Sequence, residues 1–331
     1  MAGFRDIIGH EQIISNLQNA VSTDQISHAY LLNGPDGSGK TMLAEAFAML
    51  LLCEDPQGAE PCGRCRSCRQ ALGHNQPDII YVTHEKAGIS VDDVRQQINR
   101  DVEIRPYSSR YKVYIVDEAE KMNVQAQNAL LKTLEEPPAY VVILLLTTNA
   151  DALLPTILSR CVRMNLKAVE DGRIRAHLVQ DLSVPDETAD LCVAFAQGNV
   201  GRAMALASSK QLEELKEYAF LLMSKLNRLP AYELVSELEF FDSRKEDIPL
   251  FLDLLLLLFR DVLLYKSAGS RERLIFQDQT GLIRQIAGES SYAGLNRILA
   301  AIQTANQRIR MNVNASLTLE MLLLEIKENM E

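Results

Sequence analysis

Short apolar runs and helical repeats alternate along the first half of the chain. Four apolar runs have strand length and are continuous, which is typical of strands buried on both faces of a parallel sheet. The runs, all between Ala29 and Leu166, are AYLLN, DIIYV, KVYIVD and VVILLLTT. Helical patterns such as VQAQNALLKTLEE lie between them. The pattern therefore predicts an α/β domain with a parallel sheet and flanking helices.

After the last of these runs, the apolar pattern becomes helical and stays helical. Three short helical segments come first, and Pro185 and Gly198 separate them. Longer amphipathic segments follow, including PLFLDLLLLLFRDVLLY, which is too short and too charged to span a bilayer. We therefore predict an α/β domain over residues 1–167, a small helical domain over 168–207 and an all-α domain over 208–331.

Composition narrows the functional classes only slightly. The chain has 331 residues, 47% of them hydrophobic, and a formal net charge of −10. This charge argues against a uniformly basic surface for nucleic acid, although local basic patches remain compatible with it. The opening segment MAGFRDIIGHEQII has charged and polar residues where a secretory signal has an apolar core. We expect a cytoplasmic protein.

The segment GPDGSGKT matches the phosphate-loop pattern G-x-x-x-x-G-K-[ST] in full, between a predicted strand and a predicted helix. In such a loop, backbone N–H groups and the helix N-terminus surround bound phosphates. Lys40 is expected to reach the β- and γ-phosphates, and Thr41 to hold Mg²⁺. The alternative is a chance match or a decayed loop that keeps its shape. The predicted nucleotide-binding residues are Gly34, Pro35, Asp36, Gly37, Ser38, Gly39, Lys40 and Thr41.

Polar residues follow two of the other predicted strands. Asp117 and Glu118 come directly after KVYIV, where the carboxyl ends of parallel strands face a ligand. Asp117 would join the Mg²⁺ shell and Glu118 would orient or deprotonate an attacking water, unless the pair only starts a helix. Thr147, Thr148 and Asn149 end the next run. They either hydrogen-bond the water or γ-phosphate, or form a simple turn capped by Asn149.

Four of the six cysteines are clustered in a C-x8-C-x2-C-x2-C pattern, which defines a knuckle over residues 53–68. Four thiolates suit tetrahedral Zn²⁺, and because no coordination position stays open, the ion would be structural. An iron–sulfur cluster is the rival, although its usual close fourth cysteine downstream is missing. The other two cysteines are isolated and are predicted to be buried apolar residues. The predicted metal ligands are Cys53, Cys62, Cys65 and Cys68.

Several motifs occur in an order that resembles the bacterial DNA polymerase III clamp-loader subunits, which are AAA+ proteins. They are ISHAYLLNGPDGSGKT, the cysteine knuckle, VDEAEKM, NALLKTLEEPP, TTN, ILSRC and GNVGRA. Within the family the chain is most similar to the delta-prime type. It reads DEAEKM where motor subunits read DEVHM, it lacks their RP lead-in, and it ends near residue 331. The resemblance implies an AAA+ domain over residues 1–167, a lid over 168–207 and a collar over 208–331.

The resemblance also implies roles for single residues. Thr148 falls at the family's first sensor position, and Arg202, in GNVGR, falls at the second sensor, which reaches the γ-phosphate of the chain's own nucleotide. Arg160, in SRC, would act in trans as an arginine finger at the ATP site of a neighbouring motor subunit. From the sequence itself, an ordinary surface ion pair is the better explanation of Arg160. The cysteine knuckle resembles the zinc module of this family.

At the level of the assembly, the resemblance implies a hetero-pentamer with gamma/tau and delta subunits. That complex opens a sliding clamp and places it on primer-template DNA in an ATP-dependent way. The chain would contribute no polymerase chemistry. It would bind ATP with Mg²⁺, with weak or absent ATPase activity of its own. The alternatives are a gamma/tau-like motor ATPase and a non-replicative DNA-dependent AAA+ ATPase, which the knuckle and the helical C-terminal part disfavour.

Overall fold

The chain forms two compact units in a computed structural model. One unit comprises Met1–Ile174 with Ala196–Arg202, and the other comprises Arg175–Phe195 with Ala203–Glu331. The division into three domains at residues 167 and 207 remains a prediction. The described residues are 3–84, 88–230, 232–271, 273–311 and 313–330.

The first unit contains a five-stranded parallel sheet in the order β2-β3-β4-β1-β5. The first four strands lie where the apolar runs predicted them. The fifth was not predicted, because only Met164 of its four residues is buried and its pattern is therefore polar. The strands are β1 (Ala29–Asn33), β2 (Ile79–Tyr81), β3 (Lys112–Val116), β4 (Val141–Thr147) and β5 (Val162–Asn165).

Helices cover both faces of this sheet, as the continuous apolar runs require. They are α1 (Glu11–Ser22), α2 (Lys40–Leu52), α3 (Arg66–Leu72), α4 (Val91–Val94), α5 (Val124–Glu135) and α6 (Pro155–Leu158). Successive residues of β1, β3 and β4 alternate between two apolar clusters, one shared with α2 and the other with α5. Ten of the 13 residues of α2 are buried. Burial on nearly all sides explains why the apolar residues of α2 extend around the whole helix.

The rest of the described chain is helical, as predicted. The helices are α7 (Asp171–Gln180), α8 (Asp186–Ala196), α9 (Val200–Ala207), α10 (Lys210–Lys225), α11 (Glu233–Leu238), α12 (Ile248–Ala268), α13 (Thr280–Glu289), α14 (Tyr292–Arg310) and α15 (Ala315–Asn329). The most apolar segment forms α12, a core helix with nine buried residues. Among the described residues, no helix is long and apolar enough to cross a membrane. The predicted α/β fold with an all-helical C-terminal part is confirmed.

Candidate nucleotide site and cysteine cluster

The phosphate-loop segment lies between β1 and α2, as the motif requires. The Gly34 N–H donates to the Thr147 carbonyl oxygen at 3.1 Å, which fixes the start of the loop to the end of β4. Gly37 and Gly39 have φ values of 76° and 94°. These left-handed conformations are open to glycine without steric cost. The glycine spacing thus produces the tight turn that brings backbone N–H groups around a phosphate.

Lys40 is buried within this loop, with 6% of its surface exposed. Its Nζ donates to the carbonyl oxygens of Gly34 at 2.8 Å and Pro35 at 3.0 Å. An ammonium group has three N–H donors, and the remaining direction includes the exposed Asp36 carboxylate, 3.5 Å away. The charge is therefore held at a fixed place in the loop, where an incoming phosphate oxygen can replace the Asp36 carboxylate.

Ser38 supplies a polar atom inside the same loop. Its hydroxyl oxygen is buried and has no hydrogen-bond partner among the residues that the structure describes. On the backbone side, the Ser38 carbonyl oxygen lies 2.9 Å from Nε2 of His10. A buried hydroxyl without a partner costs free energy, and a phosphate oxygen in the loop would satisfy it. The residues present therefore fit a phosphate ligand.

The segment that precedes α9 packs directly on the phosphate loop. The side-chain amide of Asn199 donates to the Asp36 carbonyl oxygen at 2.6 Å, and the Gly201 N–H donates to the Gly37 carbonyl oxygen at 2.9 Å. Arg202, which is exposed, is the third residue of α9, and its N–H donates to Oδ1 of Asn199 at 2.9 Å. The sequence identified Arg202 but missed Asn199, because no motif marks a hydrogen bond between residues 163 positions apart.

The other predicted residues share one edge of the sheet with this loop. Asp117 and Glu118 follow β3, and Thr148 follows β4. Because β3, β4 and β1 are adjacent and parallel, their carboxyl ends lie side by side. Asp117 is exposed, and its Oδ1 accepts the Glu118 N–H at 2.9 Å. The acid pair, Thr148 and the loop thus meet at the edge where α/β proteins bind ligands.

Glu118, whose side chain is 47% exposed, forms an ion pair with Lys121. Its φ of 50° is left-handed, which is uncommon for a residue other than glycine. Its carboxylate accepts from Nζ of Lys121 at 2.7 Å and lies 3.7 Å from Nε2 of His84. The hydrogen bond to Glu118 raises the pKa of Lys121. Lys121, which no motif identified, therefore occupies one oxygen, Oε1, of the proposed base.

Thr148 is paired with Glu120, another residue that the motifs did not identify. Its hydroxyl and its N–H both donate to Oε1 of Glu120, at 2.5 Å and 3.2 Å. Burial acts to raise the pKa of Glu120, but the hydrogen bonds from Thr148 and neighbouring groups hold it below its usual value. Because the Thr148 proton is used in this way, its oxygen is left to accept a hydrogen bond from water. Asn149 caps the next turn by accepting from the Asp151 N–H at 3.1 Å.

Arg160 forms a local ion pair in this chain. Its Nη2 lies 2.8 Å from Oε1 of Glu135, and its Nη1 donates to the Thr156 carbonyl oxygen at 3.0 Å. The side chain is 35% exposed, and pairs this accessible contribute at most about 1 kcal/mol. The surface ion pair considered in the sequence analysis is present, while action on a neighbouring subunit remains a prediction.

The four clustered cysteines converge on one point. Their Sγ atoms all lie within 4.8 Å of one another, and Sγ of Cys62 is 4.0 Å from that of Cys68. Tetrahedral zinc with Zn–S bonds of ~2.3 Å places sulfurs about 3.8 Å apart. The N–H groups of Cys62, Cys65 and Cys68 each donate to the preceding sulfur of the cluster at 3.3 Å. The cluster predicted over residues 53–68 is a donor set that fits a tetrahedral metal ion.

The pKa values of the cysteine thiols shift in different directions, even within the cluster. The N–H groups of Cys65 and Arg64 lower the pKa of the Cys62 thiol to about 6, whereas burial raises the pKa of Cys68. A metal cation would ionise all four thiols, since the thiolate is the ligand. Burial raises the pKa of Cys161 and of Cys192 to about 11. Cys192 is buried as predicted, and Cys161 is half-buried.

Comparisons with known proteins identify the family of the chain. The family model described as DNA polymerase III, delta subunit matches residues 9–170, and its C-terminal counterpart matches residues 202–328. The delta' subunit of Bacillus subtilis DNA polymerase III is 30% identical, covering 96% of each chain. The tau subunit of the same bacterium is also 30% identical, but the match covers 98% of this chain and only 61% of the tau subunit.

Among solved structures, a gamma-subunit-related protein of DNA polymerase III from Thermotoga maritima is similar. It has 22% sequence identity and a TM-score of 0.47, covering 96% of this chain and 99% of its own. The matched family models and the delta' relative, which aligns over nearly its whole length, decide the assignment. The chain belongs to the bacterial DNA polymerase III clamp-loader family.

Proposed function

We propose that the chain is a delta-prime type subunit of a bacterial DNA polymerase III clamp loader, which binds ATP with Mg²⁺ and helps to place a sliding clamp on primer-template DNA during replication. The delta' relative matches over 96% of both chains, and the two family models described as delta subunit match residues 9–170 and 202–328. The observation that most directly supports nucleotide binding is the phosphate loop, in which Lys40 is already held by the Gly34 and Pro35 carbonyls.

In this proposal each residue of the site has a separate task. The loop N–H groups and Lys40 bind the phosphates, and Thr41 and Asp117 hold the magnesium shell. Mg²⁺ would supply charge neutralisation at the β- and γ-oxygens. Arg202 senses the γ-phosphate, and Thr148 accepts a hydrogen bond from the attacking water.

The same site favours retention of ATP over rapid hydrolysis. Glu118, the residue expected to orient or deprotonate water, is bound to Lys121 at 2.7 Å. This ion pair engages Oε1, one of the two oxygens of Glu118 that could accept a hydrogen bond from the attacking water. We therefore infer that the chain's intrinsic ATPase activity is weak or absent.

The cysteine cluster is proposed to hold one structural Zn²⁺. Its four sulfur donors fill a tetrahedral shell and leave no position for substrate. The ion would fix the connection between α2 and α3 without taking part in nucleotide chemistry. Iron in the purified protein would instead support the iron–sulfur alternative.

The proposed partners are gamma/tau and delta subunits in a hetero-pentamer, with residues 168–207 as a lid and 208–331 as a collar. A second candidate is a gamma/tau-like motor ATPase. It is favoured by the intact loop, by Asp117, Glu118 and Thr148 at one sheet edge, and by the similarity to a tau subunit. A non-replicative DNA-dependent ATPase is less well supported, because the described C-terminal part is entirely helical.

Native mass spectrometry of the chain, alone and mixed with the other loader subunits of its organism, tests this proposal. A delta-prime subunit should enter the pentamer in one copy and should show little ATPase activity alone. Several copies per complex, together with robust ATPase activity of the isolated chain, would favour a gamma/tau-like motor. Failure to associate with any loader subunit would contradict both hypotheses.

A further inference from the structure

The side-chain amide of Asn199 links two parts of the candidate site. Its Oδ1 accepts from the Arg202 N–H at 2.9 Å, which caps the start of α9. Its Nδ2 donates to the Asp36 carbonyl oxygen at 2.6 Å, which holds the phosphate loop. An N-cap requires only the first of these hydrogen bonds. The second therefore needs a separate explanation.

The bond to Asp36 fixes the direction of the next N–H group. In a planar trans peptide, the C=O of one residue and the N–H of the following residue point in opposite directions. Because the Asp36 carbonyl faces Asn199, the Gly37 N–H faces away from Asn199. In the described part of the chain, this N–H donates to no protein acceptor. A backbone donor with this orientation in a phosphate loop is available to a phosphate oxygen.

The close approach of the two segments depends on glycine. A Cβ atom at Gly201 would lie 2.6 Å from the Gly37 carbonyl oxygen, and one at Gly37 would lie 2.8 Å from Oδ1 of Asn199. Real Cβ atoms do not approach so closely, so side chains at these two positions would separate the segments. The hydrogen bond from the Gly201 N–H to the Gly37 carbonyl, at 2.9 Å, reinforces the contact. The GNVG segment therefore holds two consecutive carbonyl groups of the loop.

We propose that Asn199 is a positioning residue, which turns the Gly37 N–H toward the polyphosphate of a bound nucleoside di- or triphosphate. This inference rests on the nucleotide binding proposed above. Asn199 does not touch the nucleotide in this scheme. It acts by holding the Asp36 peptide group, so that the loop is ordered before the ligand arrives and less conformational entropy is lost on binding.

Substitution of Asn199 by serine separates its two roles. Serine is as good an N-cap as asparagine, but its hydroxyl is one bond shorter and does not span the gap to the Asp36 carbonyl. In calorimetry with the full chain, Asn199→Ser should bind Mg·ATP and Mg·ADP about tenfold more weakly. That is the effect of losing one hydrogen bond to a charged group, here the bond from the Gly37 N–H to a phosphate oxygen. Its melting temperature should stay close to that of the wild type. Asn199→Ala, which lacks the cap as well, should lose both affinity and thermal stability.

Asn314 provides a matched control. It caps α15 by accepting from the Leu317 N–H at 3.1 Å and lies in the other compact unit. Asn314→Ser should therefore leave nucleotide affinity unchanged. If Asn199→Ser does not fold, Asn199→Asp replaces it, because aspartate also caps a helix but cannot donate to a carbonyl.

Three results would overturn the inference, and they are distinguishable. Wild-type affinity in Asn199→Ser, with binding abolished in Lys40→Ala, would reject the role of Asn199 and leave the nucleotide site intact. Equal losses of affinity and melting temperature in Asn199→Ser and Asn199→Ala would reduce Asn199 to a helix cap. Absence of Mg·ATP and Mg·ADP binding by the wild-type chain would reject the nucleotide site and the role of Asn199 together.

Discussion

Single side chains at the candidate site depend on hydrogen bonds of two kinds. Motif spacing predicts the residues whose partners lie within a few positions, such as Lys40 and the Gly34 and Pro35 carbonyls. It does not predict pairs whose partners are distant in sequence. Asn199 and Asp36 are 163 positions apart, and Thr148 and Glu120 are 28 positions apart. Such pairs form only after the strands and helices have packed.

Replacement of Lys40 tests the nucleotide site directly. Lys40→Ala should reduce affinity for Mg·ATP at least tenfold, because it removes the buried cation next to the expected β- and γ-phosphates. Lys40→Met is the matched variant, since it keeps most of the apolar stem and removes only the charge. Calorimetry should show the same loss for both variants. If Lys40→Met kept the wild-type affinity for Mg·ATP, the charge of Lys40 would not contribute to nucleotide binding.

We expect Asp78 to make the free energy of unfolding depend on pH. The buried carboxylate accepts the N–H groups of Tyr107, Ser108 and Ser109 at 2.6 to 3.0 Å. Burial acts to raise its pKa, but these donors hold the pKa below the usual 3.8. A carboxyl group with a depressed pKa in the folded state contributes stability above about pH 4, and this contribution is lost as pH falls through the folded pKa.

We expect Asp78→Asn to lower the free energy of unfolding at pH 7 by about 1.5–3 kcal/mol, the range for hydrogen bonds to a charged group. The gap in unfolding free energy between variant and wild type should narrow below about pH 4, and it should close as pH falls through the lowered folded pKa of Asp78. Denaturant unfolding at several pH values measures this difference in unfolding free energy between the variant and the wild type. Asp151→Asn, at an exposed carboxylate, is the control and should show no such gap. A gap independent of pH would contradict the assignment.

At the scale of elements, burial explains which parts of the fold were predictable. β1, β3 and β4 contribute to apolar clusters on both faces of the sheet, so their sequences read as continuous apolar runs. β5 lies at the sheet edge and buries only Met164. An edge strand with one buried residue has no apolar pattern to detect. The cysteine cluster was predictable for a different reason, because its ligand spacing is short.

Removal of metal from the cysteine cluster should act locally. The purified chain should contain about one Zn²⁺, and chelation should increase amide exchange over residues 53–68 while sparing β1 and β4. The sheet is spared because its strands are held by apolar burial rather than by sulfur. Cys65→Ser should lower the zinc content, and Cys161→Ser, outside the cluster, should not. If the wild-type chain contains no metal and its amides over residues 53–68 are still protected from exchange, the zinc assignment is wrong.

At the scale of the whole molecule, the family assignment rests on two matched family models and on one relative. The delta' relative aligns over 96% of both chains. The phosphate loop, however, has every residue of its motif and a buried lysine. A subunit with a mainly structural role in a complex can still bind nucleotide, since bound ATP can order the subunit's own site. The residue that would connect this chain to a neighbour's chemistry is then Arg160.

Arg160 and Glu135 permit a matched test, because the same ion pair can be broken from either side. Arg160→Ala removes the guanidinium, whereas Glu135→Gln breaks the 2.8 Å ion pair and leaves the guanidinium in place. Each change should alter the stability of the isolated chain by at most about 1 kcal/mol, since the pair is partly exposed. A finger supplied in trans contributes ~10³ or more in rate at its own site. Because a loader has several sites, Arg160→Ala should cause a partial loss of DNA-stimulated ATPase.

Glu135→Gln should keep that activity, because the released guanidinium can still reach the neighbouring nucleotide. The measurement is ATPase activity of the reconstituted loader, beside the melting temperature of each isolated variant. Equal activity in both variants and the wild type would mean that Arg160 serves only its local ion pair. Equal loss in both would mean that the ion pair itself orders the interface. Loss in Arg160→Ala alone assigns the function to the guanidinium, since both variants break the pair but only Arg160→Ala removes that group.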